Sequence, residues 1–234
     1  MRLLKRDDLL NISNKNFKYV QDSRLYKFKY MDSWCFEYSK FLKNEVNVKQ
    51  NKRNSSQRTY KSYSKGAIIY VKLGINVGNE FSGNHFCIVL NKNDTIFNPI
   101  LTVVPLTSSS SKFNVKIEEE ILQLATKILY KQAKIIADKL IHHVNEINKS
   151  ENPNDPHLLK VNKELQEESE QIFKVYDRYE RYKNKSTYAN ILNITSISKE
   201  RITKINSYDP IGEMVYSENT INKIDKSIKN RFLN

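Results

Sequence analysis

The hydrophobic period changes several times along the chain, and each change marks an element. Residues 1–30 are basic and weakly patterned, and no element is assigned to them. From Asp32, a candidate cap, Trp34, Cys35, Tyr38, Phe41 and Leu42 recur at helical spacing. The polar, basic run KQNKRNSSQR (49–58) then reads as a linker. GAIIYVKLG (66–74) alternates Ile69, Val71 and Leu73 against Ile68, Tyr70 and Lys72, which predicts a strand between glycines. FCIVL (86–90) is short and continuously apolar and suits a buried strand. After the turn-forming NKNDTIFNP, ILTVVPL (100–106) predicts a third strand, ended by Pro105 and the following TSSSS, and NVKI extends to a fourth.

Near Glu118 the period becomes helical. Ile117, Ile121, Leu124, Ile128, Ile135 and Leu140 fall on one stripe, NPNDP (152–156) breaks it, and Leu158, Val161, Leu165, Ile172, Val175, Tyr176 and Tyr179 resume it. Two helices about a proline-containing turn predict an antiparallel hairpin. STYANILNI (186–194) returns to strand, SKERITKI suggests a short helix, and Ile221, Ile224, Ile228 and Phe232 define an amphipathic terminal helix from Ser217. A β-unit that opens before a helical segment and resumes after it is one domain with an insertion. The expected divisions are an extension over 1–58, a first β part over 59–116, a helical hairpin insertion over 117–185, and the second β part with its helix over 186–234.

Charge adds a partner class. The chain has 39 Lys+Arg against 26 Asp+Glu, a net charge of +13, which attracts polyanions: nucleic acid first, an acidic protein second. Cys35 and Cys87 form neither a disulfide framework nor a metal-ligand spacing, and Cys87 reads as a small core residue. His142 and His143 are neighbours on a helix and so face different directions; with no cysteine or acidic partner at ligand spacing they read as solvated. His157 is no better as a ligand, and no metal or cofactor is expected. MRLLKRDDLL lacks the apolar core of a signal peptide and no stretch reaches the length of a membrane span, so a cytoplasmic protein is expected.

The candidate chemistry lies in NVGNEFSGNHF (76–86). Three of the five glycines, Gly74 just before it and Gly78 and Gly83 within it, fall within ten positions, beside Glu80 and His85. Glycines let the backbone approach a ligand and turn its N–H groups toward an anion. PLTSS adds Thr107 and Ser108 at the end of another strand. A hydroxyl, an imidazole, a carboxylate and backbone donors on a cationic chain suit phosphodiester chemistry. RNA can be cut without a metal because its own 2′-OH attacks phosphorus; the protein supplies a base, an acid and donors for the growing charge. Each residue also has a plainer reading. His85 can be a packed histidine, Thr107 can bond its own backbone, Glu80 can fix the loop, and Arg201 can be a surface ion pair. The aromatics of YDRYERYK (176–183) read as the inner stripe of a helix.

YSKGAIIYVKLGINVGNEFSGNHFCIVLNK, then LTVVPLTSS, then ILNITSISKERI and the closing helix resemble, in that order, the PemK/MazF family of toxin endoribonucleases. The chain is most similar to a subgroup with an N-terminal extension and G-x-H in place of G-x-R-P. The resemblance implies an α+β fold, an SH3-like small β-barrel with a C-terminal helix, here carrying the helical hairpin. It implies a homodimer, a cognate antitoxin, and metal-independent cleavage of single-stranded RNA to 2′,3′-cyclic phosphate and 5′-OH ends. Glu80 takes the loop glutamate, Thr107 the catalytic threonine followed by Ser108, and Arg201 the arginine of the later segment. His85 stands where the family more often has its catalytic arginine, and Phe86 replaces the proline after it. His85, Thr107 and Glu80 are thus the expected catalytic set, with Lys72, Asn76, Gly78, Asn79, Ser108 and Arg201 on the RNA. Two rivals remain open: a non-catalytic RNA- or protein-binding module of the same fold, and a protein whose segment 1–58 covers its own groove.

Overall fold

The computed structural model describes residues 5–51, 58–150, 152 and 155–233. Most of the expected linker 49–58 and part of the NPNDP break lie outside the described residues. Within the described residues six strands form one antiparallel sheet: β1 (Ile68–Gly74), β2 (Gly83–Val89), β3 (Ile100–Thr107), β4 (Asn114–Ile117), β5 (Thr187–Asn190) and β6 (Thr195–Ser198). Among the described residues five α-helices accompany them: α1 (Arg6–Asp22), α2 (Met31–Asn51), α3 (Ile121–Lys149), α4 (Pro156–Glu180) and α5 (Glu218–Phe232).

The sheet order is β1-β2-β3-β5-β4, with β6 also on β3. One edge of β3 pairs with β2, Val89 facing Val103 and Cys87 facing Pro105. The other edge is shared: Ile100–Val103 take β6, and Leu106 and Thr107 take β5. A 3-10 turn at Ile191–Asn193 carries the chain from one partner to the other, so STYANILNI holds one strand and a turn, and a second strand follows it at Thr195. Among the described residues the outer edge of β1 meets only isolated bridges, Val71 to Ile202 and Ala67 to Val215. The sheet is therefore open, and the closed SH3-like barrel implied by the resemblance is not realised as a continuous ladder.

Several boundaries differ from the pattern. β3 runs through Pro105 and ends two residues later, at Thr107, because its last residues find a partner in β5. β2 begins at Gly83, so His85 belongs to a strand and not to the loop before it. Residues 6–22 form a helix. α2 begins at Met31 with the Trp34 N–H on the Tyr30 carbonyl at 2.9 Å, so Asp32 sits in the first turn instead of capping it. A carboxylate there still favours the positive end of the helix. SKERITKI yields only a 3-10 turn at Lys199–Arg201. Ser217 caps α5 through its hydroxyl, which accepts from the Thr220 N–H.

The core gathers Ile68, Val71, Cys87, Ile88, Leu101, Val103 and Val104 of the sheet with Ile211, Met214 and Ile224 of the closing segment. α3 and α4 pack as a hairpin through Leu129 and Ile136 against Leu165, Ile172 and Val175. His143 belongs to that packing. It is 2% exposed and its Nε2 lies 3.0 Å from the Leu158 carbonyl, which corrects the expectation that it is solvated; His142 is exposed. Asp209, fully buried, ties the hairpin to the sheet. It accepts from Tyr179 Oη at 2.7 Å, from Arg178 Nη1 at 2.7 Å and from the backbone N–H groups of Ile205 and Ile211. Burial, and then the carboxylate beside it, push the Tyr179 phenol far up, which keeps it a donor. No helix among the described residues is long and apolar enough to cross a membrane.

Candidate active site

The loop between β1 and β2 is fastened at both feet. Gly74 has φ +91° and Gly83 φ +100°, conformations that side-chain-bearing residues rarely adopt. Gly74 is also a close approach: a Cβ there would lie 2.3 Å from the Trp34 ring of α2. Asn76 braces the loop internally, its N–H on Ser82 Oγ at 3.0 Å and its Nδ2 on the Phe81 carbonyl at 2.8 Å. The Phe81 N–H donates to Asn193 Oδ1 at 2.9 Å, which ties the loop to the turn between β5 and β6. The Asn76 amide is thereby engaged within the protein. Gly78 and Asn79 are exposed at the tip, and the Gly78 carbonyl accepts from Lys27 Nζ at 2.5 Å.

His85 lies on β2 opposite Val71. Its Nε2 is 3.0 Å from the Ser82 carbonyl, and its ring centroid is 4.3 Å from that of Phe81. A carbonyl only accepts, so Nε2 carries the hydrogen toward Ser82. Burial pushes the imidazole below its ordinary pKa, while the Ser82 and Leu106 carbonyls pull the other way without prevailing. The ring is thus neutral near pH 7 and able to take a proton. Thr107 ends β3. Its Oγ1 accepts from the Ser109 N–H at 3.1 Å, which leaves the hydroxyl hydrogen to donate.

β2 and β3 bring His85, Thr107 and Ser108 to one cleft of about 210 Å³. Asn84, Phe86 and Leu106 line it from the sheet and Ile121 from the start of α3, and Tyr182, Lys185, Ser186 and Thr187, the segment after α4, close it. Glu80 is not there. It lines a second cleft of about 530 Å³ with Asn76, Phe81, Asn193, Ser196 and Arg201. Phe81 lies between the two, its ring against His85 and one side lining the second cleft. Arg201 donates from Nη1 to the Leu73 carbonyl at 3.0 Å and lies 5.6 Å over the Trp34 ring. Lys72 is paired with Glu37 of α2 at 2.8 Å. The nine expected residues therefore divide: three meet in the first cleft, Asn76, Glu80 and Arg201 share the second, Lys72 and Gly78 are held by the N-terminal segment, and Asn79 is exposed at the loop tip. Sequence reading missed Tyr182, Lys185 and Thr187. The one local signal was Asn184 just past a helix end, a residue type suited to the left-handed turn it makes there at φ +58°.

Residues 64–168 match the model of a family described as PemK-like, MazF-like toxin of type II toxin-antitoxin system. The match takes in His85, Thr107 and Glu80 and runs on through α3 into α4; β5, β6, Lys185 and Arg201 lie beyond it. No curated protein matches the chain.

Proposed function

We propose, from the premise that the chain belongs over residues 64–168 to the PemK-like, MazF-like toxins of type II toxin–antitoxin systems, that it is an endoribonuclease acting on single-stranded RNA without a metal. One observation carries the reading: His85 and Thr107, from different strands, open onto the same cleft with Ser108. His85 exchanges its Ser82 contact for substrate and moves the proton of the 2′-OH or of the leaving 5′-oxygen. Thr107 donates to the phosphoryl oxygens as their charge grows. The products are a 2′,3′-cyclic phosphate and a 5′-OH. Glu80 and Arg201 then act on the RNA on the far side of Phe81 rather than at the scissile bond.

The open sheet is consistent with an SH3-like barrel whose seam is the pair of bridges on β1. On this reading residues 1–58 are an extension and 117–185 an insertion in that fold. The family's pairing with an antitoxin makes an acidic or apolar antitoxin segment the natural occupant of the cationic groove. A cytoplasmic homodimer is the working form. A non-catalytic binding module is the second reading, favoured by one detail: His85 Nε2 and Thr107 Oγ1 are both already engaged with backbone groups. Cleavage of a long end-labelled RNA by purified protein in excess EDTA, beside His85→Ala, decides between them. Cyclic-phosphate ends from the wild type alone uphold the nuclease; RNA bound by both and cut by neither leaves the binding module.

A further inference from the structure

The cleft that holds His85 and Thr107 needs a fixed positive charge for a phosphodiester, and the loop and strands do not provide one. Among the described residues its sheet-side lining contains no lysine or arginine, and no carboxylate lines it. Arg201, expected on the RNA from the resemblance, is turned to the Leu73 carbonyl and the Trp34 ring in the other cleft. A neutral, half-buried imidazole cannot stand in for a permanent cation.

We propose that Lys185, delivered by the segment that follows the α3–α4 hairpin, supplies that charge and binds the scissile phosphate of the RNA. The inference rests on the nuclease reading above. Among the described residues, Lys185 is the one permanently charged side chain lining the cleft. Its placement is built. Asn184 turns the chain at φ +58°, the Lys185 N–H closes onto the Tyr182 carbonyl at 3.2 Å, and the ammonium stands 5.7 Å from the Tyr182 ring. Tyr182 is itself packed edge-on against Phe86 at 5.1 Å, so the aromatic support is anchored to β2. Lys185 has no carboxylate partner among the described residues, in contrast to Lys72, Lys65 and Lys199. Apolar walls at Phe86, Leu106 and Ile121 strengthen the attraction of an ammonium for a phosphate beside them. A lysine is a point charge on a flexible stem, suited to following a phosphorus centre whose geometry changes during reaction.

The test uses the full chain in excess EDTA under single-turnover conditions on a long end-labelled RNA. It compares wild type with Lys185→Ala, Lys185→Arg and Lys183→Ala, the last removing a neighbouring exposed lysine that does not line the cleft. Loss of a transition-state donor of this kind lowers the rate by about 10²-fold. The expected pattern is that loss in Lys185→Ala, most of the rate restored in Lys185→Arg, and a change within about twofold in Lys183→Ala. A Lys185→Ala rate equal to that of Lys183→Ala overturns the proposal, and so does a slow Lys185→Arg, which would mean shape and not charge is needed. If the wild type itself binds RNA but does not cut, the nuclease reading falls, and the salt dependence of binding decides the contact. A log–log slope reduced by about one in Lys185→Ala upholds the phosphate contact; an unchanged slope overturns it.

Discussion

At His85 two opposing influences act on one ring. Burial disfavours the charged form, two backbone carbonyls favour it, and burial wins. The folded pKa therefore lies below the unfolded value near 6.5, so protonating the ring is harder in the folded protein. Stability from this group is complete above pH 6.5 and is lost as pH falls from there through the folded value. The expected outcome in an NMR titration of the imidazole is a midpoint below 6.5, and a His85→Gln variant should lose that part of the acid sensitivity. In the cleavage assay His85→Ala should lower the rate by about 10²- to 10⁴-fold, the range for a removed acid–base group. Thr107→Val keeps the shape, removes the donor, and should cost about 10²-fold with unchanged RNA binding. His85 and Thr107 were legible as a pair because the ordered motifs around them stand close in sequence to the strands that carry them. Lys185 was not. It is one of 39 basic residues, and only long-range packing of α4 brings it to the cleft.

Among elements, legibility follows burial. β1, β2 and β3 bury most of their residues and announce themselves as apolar runs. α1 buries none of its residues, so it has no inward stripe to read. β6 has four residues of which only Ile197 is buried, too short a pattern to separate from the turn before it. The division of the loop residues between two clefts was equally invisible, since it depends on Asn193 holding the Phe81 N–H. α2 is held to the sheet by Trp34 on Gly74 and by Glu37 on Lys72. Gly74→Ala adds a methyl group into the indole and strains a φ of +91°. The backbone alone costs about 1–3 kcal/mol, and α2 must lift. Trp34 is the single tryptophan, so the expected red shift of its fluorescence reports the release directly. Deleting residues 1–58 separates a supporting role from a covering one: raised cleavage indicates a covered groove, and unchanged cleavage rules out self-inhibition.

For the molecule as a whole, the buried carboxylate of Asp209 carries more than any surface pair. Asp209→Ala leaves Arg178 and Tyr179 unpaired where the hairpin meets the sheet, and removing one partner of a buried ion pair costs about 3–5 kcal/mol. Asp225→Ala, which breaks the partly exposed pair with Lys65, should cost about 0–1 kcal/mol. Chemical denaturation of the two variants checks the contrast. Loss of Asp209 should also reduce cleavage, since α4 positions the wall of the cleft. The net charge of +13, by contrast, was plain in the sequence and speaks to partners, not to fold.

The shared edge of β3 also bears on when such a protein becomes whole. β1 to β4 are complete by Ile117, yet the outer edge of β3 waits for Thr187–Asn190 and Thr195–Ser198. Between them the helical hairpin can form from local contacts alone, which is fast; the strand pairings must close a long loop, which is slow. During synthesis the half-sheet therefore emerges with an open edge and half a cleft, and the second wall arrives only with Tyr182–Thr187. On the nuclease reading, a growing chain would be inert beside the message that encodes it and would become competent only after that last wall has left the ribosome.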